Sequence, residues 1–308
     1  QVKIAFYALW LYEQPIMNKR SFETLDPKSD VVFKSLFSRD CDESHIARNS
    51  LIGSFLNREV KESVLIPNEP AGRDFYSKHI RLDLNCVLDD KSHVIVEMQM
   101  QNYQDDLAKR LVYYDSRVFY NQEAKGKPYL RVKNVYTILI GNYNIFESKG
   151  YFSKFELICN ATQTVLSDAL VFYFLELKKL PKILKFDKEL GVLQQWAYFF
   201  RDANTIALGD IVKVDRGIKM AESILNQISQ DYIERINLIR EEIAYRDHIS
   251  RIYHFKREGL EEGLKQGLEE GLAKGKESQK LEIAQNMKAK GYSAQDILDI
   301  TGLEEGSY

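Results

Sequence analysis

The sequence contains little cysteine. Three cysteines occur in 308 residues, at Cys41, Cys86 and Cys159, and no two of them have CxxC spacing. A disulfide framework or a zinc knuckle needs cysteines at characteristic spacings, so neither is predicted. Free thiols suit a reducing compartment, and we therefore expect a cytoplasmic protein.

Common catalytic motifs are also missing. The sequence has no P-loop, no GxSxG and no GxGxxG. Its histidines show no metal-ligand spacing; they are His45, His79, His93, His248 and His254. A P-loop ATPase, a serine hydrolase of the nucleophile-elbow type and a histidine-based metal site are therefore not predicted.

The chain starts without a recognisable membrane or secretion signal. The apolar stretch Ile4 to Leu11 is much shorter than the roughly 20 residues that span a bilayer, and it lacks a basic start and a cleavage site. Met17 looks like a natural start. We expect residues 1–16 to lie upstream of it, within an N-terminal extension that runs to residue 25, and we expect no membrane partner.

An excess of positive charge is absent as well. The formal net charge is −2. A nucleic-acid binder of this composition has to hold phosphate backbones through a local patch or a bound metal ion, because the whole surface does not attract them.

Apolar periodicity predicts the order αβββαβ in the first half of the chain. Two helices are expected within residues 30–57, and a third helix follows the first three strands. The expected strands are Glu62 to Pro67, Ile80 to Leu88, Val94 to Met100 and, after a helix from about Asp105 to Lys125, Val135 to Ile140. This order indicates an α/β fold, with a mixed central sheet and a helix on each face.

The second half is predicted to be mostly helical. Strands or helices are expected at Phe155 to Ile158 and Leu170 to Leu177, and helices at about 187–203 and 209–256. With boundaries near 205 and 257, the predicted regions are a domain at 26–205, a helical region at 206–256, a glycine-repeat segment at 257–280 and a short helical tail at 281–308.

Two carboxylates are predicted to face each other across a hairpin. The strands that contain Asp83 and Glu97 both place polar residues at odd positions, so paired numbers sum to an even value such as 180. Asp83 then lies opposite Glu97, with Cβ atoms about 5 Å apart, near enough to share a divalent cation. The alternative is a solvated sheet surface with Arg81 or Lys91 as neighbours.

The Asp83…Glu97-Met98-Gln99 pattern resembles the D…(D/E)xK signature of PD-(D/E)XK nucleases, with Gln99 in the usual lysine position. The wider sequence, over about residues 26–145, resembles the Rpn family of recombination-promoting nucleases and putative transposases, in which Glu-x-Gln is characteristic. The blocks that carry this resemblance are Asp30-Val31-Val32-Phe33-Lys34-Ser35-Leu36-Phe37, Arg81-Leu82-Asp83-Leu84, Val96-Glu97-Met98-Gln99, Arg110-Leu111-Val112-Tyr113-Tyr114 and Gly126-Lys127-Pro128-Tyr129.

The resemblance implies a PD-(D/E)XK fold and a Mg²⁺- or Mn²⁺-dependent DNA endonuclease of low sequence specificity, linked to recombination, mobile elements or phage defence. Asp83, Glu97 and the main-chain carbonyl of Met98 would hold the ion. Gln99 would orient the attacking water by hydrogen bonding, without the positive charge of a lysine. The alternative function is a catalytically silent adaptor that binds DNA or oligomerises.

Further candidate residues lie on the helices. Asp30 is either an acid beside the metal, as in relatives, or the N-cap of its helix. Arg110, Tyr114 and Arg117 fall on one helix face that would hold phosphates and stack on bases, with Lys34 as a further DNA contact; the alternative is an ordinary solvated face.

Glycine recurs at every fourth position near the C-terminus, at Gly259, Gly263, Gly267, Gly271 and Gly275. Each costs a helix roughly 1 kcal/mol relative to alanine, so the glycines need a use. Close packing between helices is one, and it predicts a homo-oligomer. An extended linker is the alternative.

Overall fold

The computed structural model describes residues 22–66, 83–100, 106–122, 128–182, 190–203 and 214–308. Its helices are α1 Asp30–Phe37, α2 Asp42–Leu56, α3 Leu107–Asn121, α4 Val192–Asp202, α5 Arg216–Gln230, α6 Tyr232–Ala289 and α7 Ala294–Thr301. Its strands are β1 Ser63–Leu65, β2 Leu84–Leu88, β3 His93–Gln99, β4 Val135–Gly141, β5 Phe152–Ile158 and β6 Val165–Glu176.

The six strands form one mixed sheet in the order β1-β2-β3-β4-β6-β5. Strands β1, β2 and β3 pair antiparallel, whereas β3, β4 and β6 are parallel to one another. Strand β5 closes the other edge, antiparallel to β6. A parallel pair needs a long crossover connection, and α3 lies within the connection between β3 and β4. The predicted α/β fold with a mixed sheet is therefore confirmed.

One face of the sheet carries the main hydrophobic core. The even-numbered side chains of β2 and β3 point to this face, where they meet α1, α2, α4 and α5. Phe33 and Leu36 of α1 and Trp196 of α4 are completely buried there. The two helices expected within residues 30–57 are confirmed as α1 and α2, and buried residues of both pack against the strands that follow them.

Helix α3 covers the other face of the sheet. Leu111 of α3 packs on Leu139 and Phe174, and its partly buried aromatic residues Tyr114 and Phe119 pack beside Ile95 and Val135. Strand β3 is therefore buried on both faces. The prediction of a helix on each face is correct, and polar side chains at odd positions of β3 are enclosed instead of facing solvent.

Several predicted elements differ in length from those described. Strand β1 has three residues, shorter than the expected Glu62 to Pro67. Helix α3 begins at Leu107, because the Asp106 side chain caps it by accepting a hydrogen bond from the Lys109 N–H. The expected helix ends at Asp105 and Lys125, like residues 80–82 of the expected second strand, lie outside the described residues. Residues 1–21 of the predicted N-terminal extension also lie outside them.

The chain forms two compact units, one ending at Glu242 and the other covering Ile243–Tyr308. In the first unit α5 packs on α2, with Gly217 at the crossing. A Cβ atom on Gly217 would lie 2.2 Å from the Cβ of Ser50, so this close approach requires glycine. The domain boundaries near 205 and 257 stay predictions.

The second unit contains the glycine repeat and the C-terminal tail. All five repeat glycines lie within α6, in continuous helix. Helix α7 begins with a capping box between Ser293 and Asp296, and it packs close enough to bury Ile297. In the described parts of the chain, no helix combines the length and the apolar character needed to cross a membrane.

Candidate active site

The β2–β3 hairpin has the register that the sequence predicted. Leu84 pairs with Val96 and Asn85 with Ile95, so paired numbers sum to 180. Asp83, just before β2, extends this register to a position opposite Glu97. Its carboxylate Oδ2 accepts a hydrogen bond from the Met98 N–H at 2.9 Å, and its own N–H donates to Glu97 Oε1 at 3.4 Å.

Both carboxylates are enclosed. The Asp83 side chain is 10% exposed and Glu97 is 8% exposed. The alternative of a solvated sheet surface is therefore wrong, because α3 covers this face. Of the neighbours expected in that case, Lys91 lies in the exposed turn of the hairpin and Arg81 lies outside the described residues.

Lys34 of α1 reaches into this site. Its ammonium Nζ lies 3.0 Å from Asp83 Oδ1 and 3.0 Å from each carboxylate oxygen of Asp30. Asp30 is the first residue of α1, and the N-cap position belongs to Ser29, so the N-cap interpretation of Asp30 is wrong. Asp30 and Lys34 are one helical turn apart, and together they bring a carboxylate and an ammonium to Asp83.

Burial controls the electrostatics of the site. It raises the pKa of Asp83, and the nearby Asp30 adds to the rise, while Lys34 and the Met98 N–H partly offset it. Burial and repulsion from Asp83 raise the pKa of Glu97 well above its usual value, against the opposing effect of Arg110. Two enclosed carboxylates that resist ionisation together are a strong attractor for a cation.

Lys34 responds in the opposite sense. Burial lowers the pKa of its ammonium, but the carboxylates of Asp83 and Asp30 more than offset this, and the net pKa is raised. Lys34 therefore stays charged inside the site and offsets part of the negative charge of Asp83 and Asp30.

Gln99 is held by a tyrosine that sequence reasoning missed. The Gln99 side-chain oxygen Oε1 accepts a hydrogen bond from the Tyr143 hydroxyl at 3.0 Å, and both residues are buried. Tyr143 follows β4, which is parallel to β3, so the carboxyl ends of both strands meet at one edge. The sequence places Tyr143 just after a predicted strand, so the convergence of parallel strands at their carboxyl ends could have predicted its approach to Gln99.

The predicted DNA-contact residues of α3 lie above this face of the sheet. Arg110 is partly buried and close enough to Glu97 to favour its charged form. Tyr114 is partly buried beside Ile95, so its ring already has an intramolecular packing partner. Arg117, one turn beyond Tyr114, is also partly buried.

Comparison with known families decides the assignment. A family model described as PD-(D/E)XK nuclease family transposase matches residues 27–254, roughly three quarters of the chain. The chain belongs to this family. No curated protein and no solved structure matches it. Membership confirms the resemblance found in the sequence, supports a function of nuclease or transposase type, and implies DNA as the substrate.

PD-(D/E)XK nucleases typically use divalent metals, and the residues of this family member fit such an ion. Asp83 and Glu97 offer enclosed oxygen donors, and Lys34 already marks a position that a cation favours. Within the described ranges no group of three or more His, Cys, Asp or Glu side chains is placed to hold a metal. Mg²⁺ needs no more than one or two carboxylates, since waters complete its shell.

Proposed function

We propose that this chain is a Mg²⁺- or Mn²⁺-dependent DNA endonuclease of low sequence specificity. The observation that carries the proposal is the enclosed pair of Asp83 and Glu97, joined by main-chain hydrogen bonds across the hairpin of a PD-(D/E)XK family member. A carboxylate pair with this burial is costly to a protein that does not use it.

In this proposal Asp83, Glu97 and the Met98 carbonyl hold the ion. When bound, the ion neutralises phosphate charge and increases the acidity of water. Both effects contribute to lowering the barrier of phosphodiester hydrolysis, which an enzyme has to reduce by roughly 20 kcal/mol. Asp83 and Glu97 are set in place before the ion arrives, because the Met98 and Asp83 N–H groups fix their carboxylates. Gln99 orients the attacking water, and the Tyr143 hydroxyl restricts the rotation of its amide.

The DNA backbone would lie along α3. Arg110, Arg117 and Lys34 supply positive charge and Tyr114 supplies a ring edge for bases. With a net charge of −2 for the chain, this local group has to provide the attraction, and binding should weaken steeply with salt. Contacts of this kind to phosphates carry no base information, consistent with low sequence specificity. We place this activity in the cytoplasm, in recombination, mobile-element movement or phage defence.

We further propose that the glycine repeat joins two copies of the chain. Leu260, Leu264, Leu268 and Leu272 follow the glycines along α6 and are each more than half exposed. Across the described residues, nothing lies within 4 Å of the position where a side chain on any repeat glycine would begin. A second α6 helix would cover the leucines and approach closely at the glycines.

Cleavage of supercoiled plasmid tests the enzyme proposal. The purified parent should nick or linearise plasmid with Mg²⁺ or Mn²⁺ and should be silent with EDTA. Asp83→Ala and Glu97→Ala should lose essentially all cleavage, whereas Asp89→Ala, in the exposed turn of the same hairpin, should retain it. A folded parent that binds plasmid without cutting it under any of these conditions would favour the catalytically silent adaptor.

A further inference from the structure

The signature position that usually carries lysine is neutral in this chain. Gln99 has a carboxamide, which donates and accepts hydrogen bonds but brings no positive charge. Phosphoryl transfer is catalysed mostly by positioning and by charge stabilisation. A site that lacks the motif lysine therefore needs its positive charge from somewhere else in the fold.

Among the described residues, Lys34 brings an ammonium to this site. It comes from α1, on a different element from Gln99, and reaches Asp83 Oδ1 at 3.0 Å. Its side chain is 25% exposed, so it is enclosed by the site while still reachable from solvent. Ordering a long lysine side chain costs rotamer entropy, so strong partners are needed to hold it.

Asp30 and Asp83 share that role. Both of its carboxylate oxygens lie 3.0 Å from Lys34 Nζ, and the two residues are one turn apart on a helix whose apolar face is buried in the core. The Asp30 carboxylate therefore gives the ammonium a second anchor beside Asp83. A cation that binds Asp83 would compete for one of the three oxygens around Lys34 and leave the other two.

We propose that Lys34 is a catalytic residue that supplies the positive charge missing at Gln99, and that Asp30 is the positioning residue that aims it. This inference rests on the nuclease function proposed above. It assigns Lys34 a contact with the reacting phosphate, beyond the general DNA contact predicted from sequence. It also assigns Asp30 to the lysine instead of to the metal.

The chemical step leaves Lys34 unchanged. A water oxygen forms a bond to phosphorus while the bond from phosphorus to the leaving sugar oxygen breaks. The water gives up one proton to solvent, and the leaving oxygen gains one. Lys34 keeps its protons throughout and stabilises the negative charge that builds up on the phosphate oxygens, as preorganised donors do in other sites.

Moving the ammonium from position 34 to position 99 tests the catalytic role of Lys34. Single-turnover cleavage of plasmid with saturating Mg²⁺ should fall about 10²- to 10³-fold in Lys34→Gln, the range seen when one preorganised donor is removed. Plasmid affinity should change only a few-fold. The double variant Lys34→Gln with Gln99→Lys should recover at least tenfold over Lys34→Gln, because the ammonium returns from the signature position. Asp30→Asn should lose less than Lys34→Gln.

Matched controls separate the outcomes. Lys61→Met removes one exposed positive charge and should cleave as the parent does. Equal losses of affinity and rate in Lys34→Gln, with no recovery by Gln99→Lys, would reduce Lys34 to an ordinary DNA contact and overturn the inference.

If Lys34→Gln melts well below the parent, Lys34→Arg is used instead: it keeps the charge and should retain more activity than Lys34→Met. A parent that never cleaves overturns the enzyme proposal and this inference together, whereas a cleaving parent with unaffected Lys34 variants overturns this inference alone.

Discussion

The buried carboxyl of Asp115 should make folding stability fall as pH rises. Asp115 lies on the face of α3 that packs on the sheet and is fully buried. Its Oδ1 accepts a hydrogen bond from the Thr137 hydroxyl of β4, and its Oδ2 has no partner among the described residues. Burial raises the pKa of this carboxyl from 3.8 to about 8, partly opposed by Thr137.

The size of the effect follows from proton linkage. Between pH 5 and pH 7 the unfolded chain has lost the Asp115 proton while the folded protein keeps it, so the unfolded state is favoured as pH rises. One proton of difference corresponds to about 1.4 kcal/mol per pH unit, which gives a loss of about 2.5 kcal/mol over this interval. Well below pH 3.8 both states are protonated and the effect vanishes; above pH 8 it no longer grows.

Asp115→Asn isolates this contribution. The carboxamide keeps an oxygen acceptor for Thr137 and does not titrate. Urea unfolding at pH 5, 6 and 7, followed by the fluorescence of the buried Trp196, gives the free energy of unfolding of each protein. Relative to the parent, Asp115→Asn should gain about 2.5 kcal/mol between pH 5 and pH 7. Asp83 and Glu97 titrate in both proteins, and their contribution cancels in the difference.

This reasoning is refuted if the free energy of unfolding has the same pH dependence in the parent and in Asp115→Asn. If the parent and Asp115→Asn change alike with pH, the Asp115 carboxyl ionises in the folded protein, and its burial under α3 does not set its proton affinity. Asp89→Asn, a change in the exposed hairpin turn, serves as the control and should run parallel to the parent.

Three further predictions concern the site and the C-terminal helix. Mg²⁺ or Mn²⁺ should raise the melting temperature of the parent, by an amount equivalent to about 2.7 kcal/mol at 100 times the dissociation constant, and thermal melts of Asp83→Ala and Glu97→Ala should show no shift. Gln99→Ala should lower plasmid turnover while Gln99→Lys keeps or raises it; an alanine variant as fast as the parent would remove Gln99 from the mechanism. Truncation after Lys256 should lower the mass seen by light scattering without unfolding the sheet, and an unchanged mass would exclude self-association through the repeat.

The hairpin shows why part of the site could be predicted from sequence. Alternation along a strand has a period of two, so the parity of the polar positions fixed which residues share a face and how Asp83 and Glu97 pair. The burial of that face could not be predicted in the same way. It depends on α3 packing Leu111 against Leu139, a contact between positions 28 residues apart in the chain that no local pattern encodes.

Lys34 and Tyr143 illustrate the other limit. The four-residue spacing of Asp30 and Lys34 indicates an ion pair on one helix, but the strand that this pair faces is decided by how α1 packs in the core. Tyr143 comes after β4, and its approach to Gln99 depends on the parallel pairing of β3 with β4. Aromatic runs such as β6 are similarly ambiguous between strand and helix until their pairing partners are known.

The formal charges in the site fit the proposal of a metal-dependent nuclease with a neutral residue at position 99. Among the described residues, and with every group ionised, the carboxylates of Asp30, Asp83 and Glu97 face the two cations of Lys34 and Arg110, so one negative charge remains. Adding a divalent ion reverses this to one positive charge, which complements the single negative charge of a phosphodiester. With lysine at position 99 as well as Lys34, the site would be neutral before the ion arrives and would attract it less, so the turnover predicted for Gln99→Lys applies at saturating Mg²⁺. In the proposed mechanism a glutamine there keeps the attraction for the metal, because Lys34 of α1 supplies the ammonium.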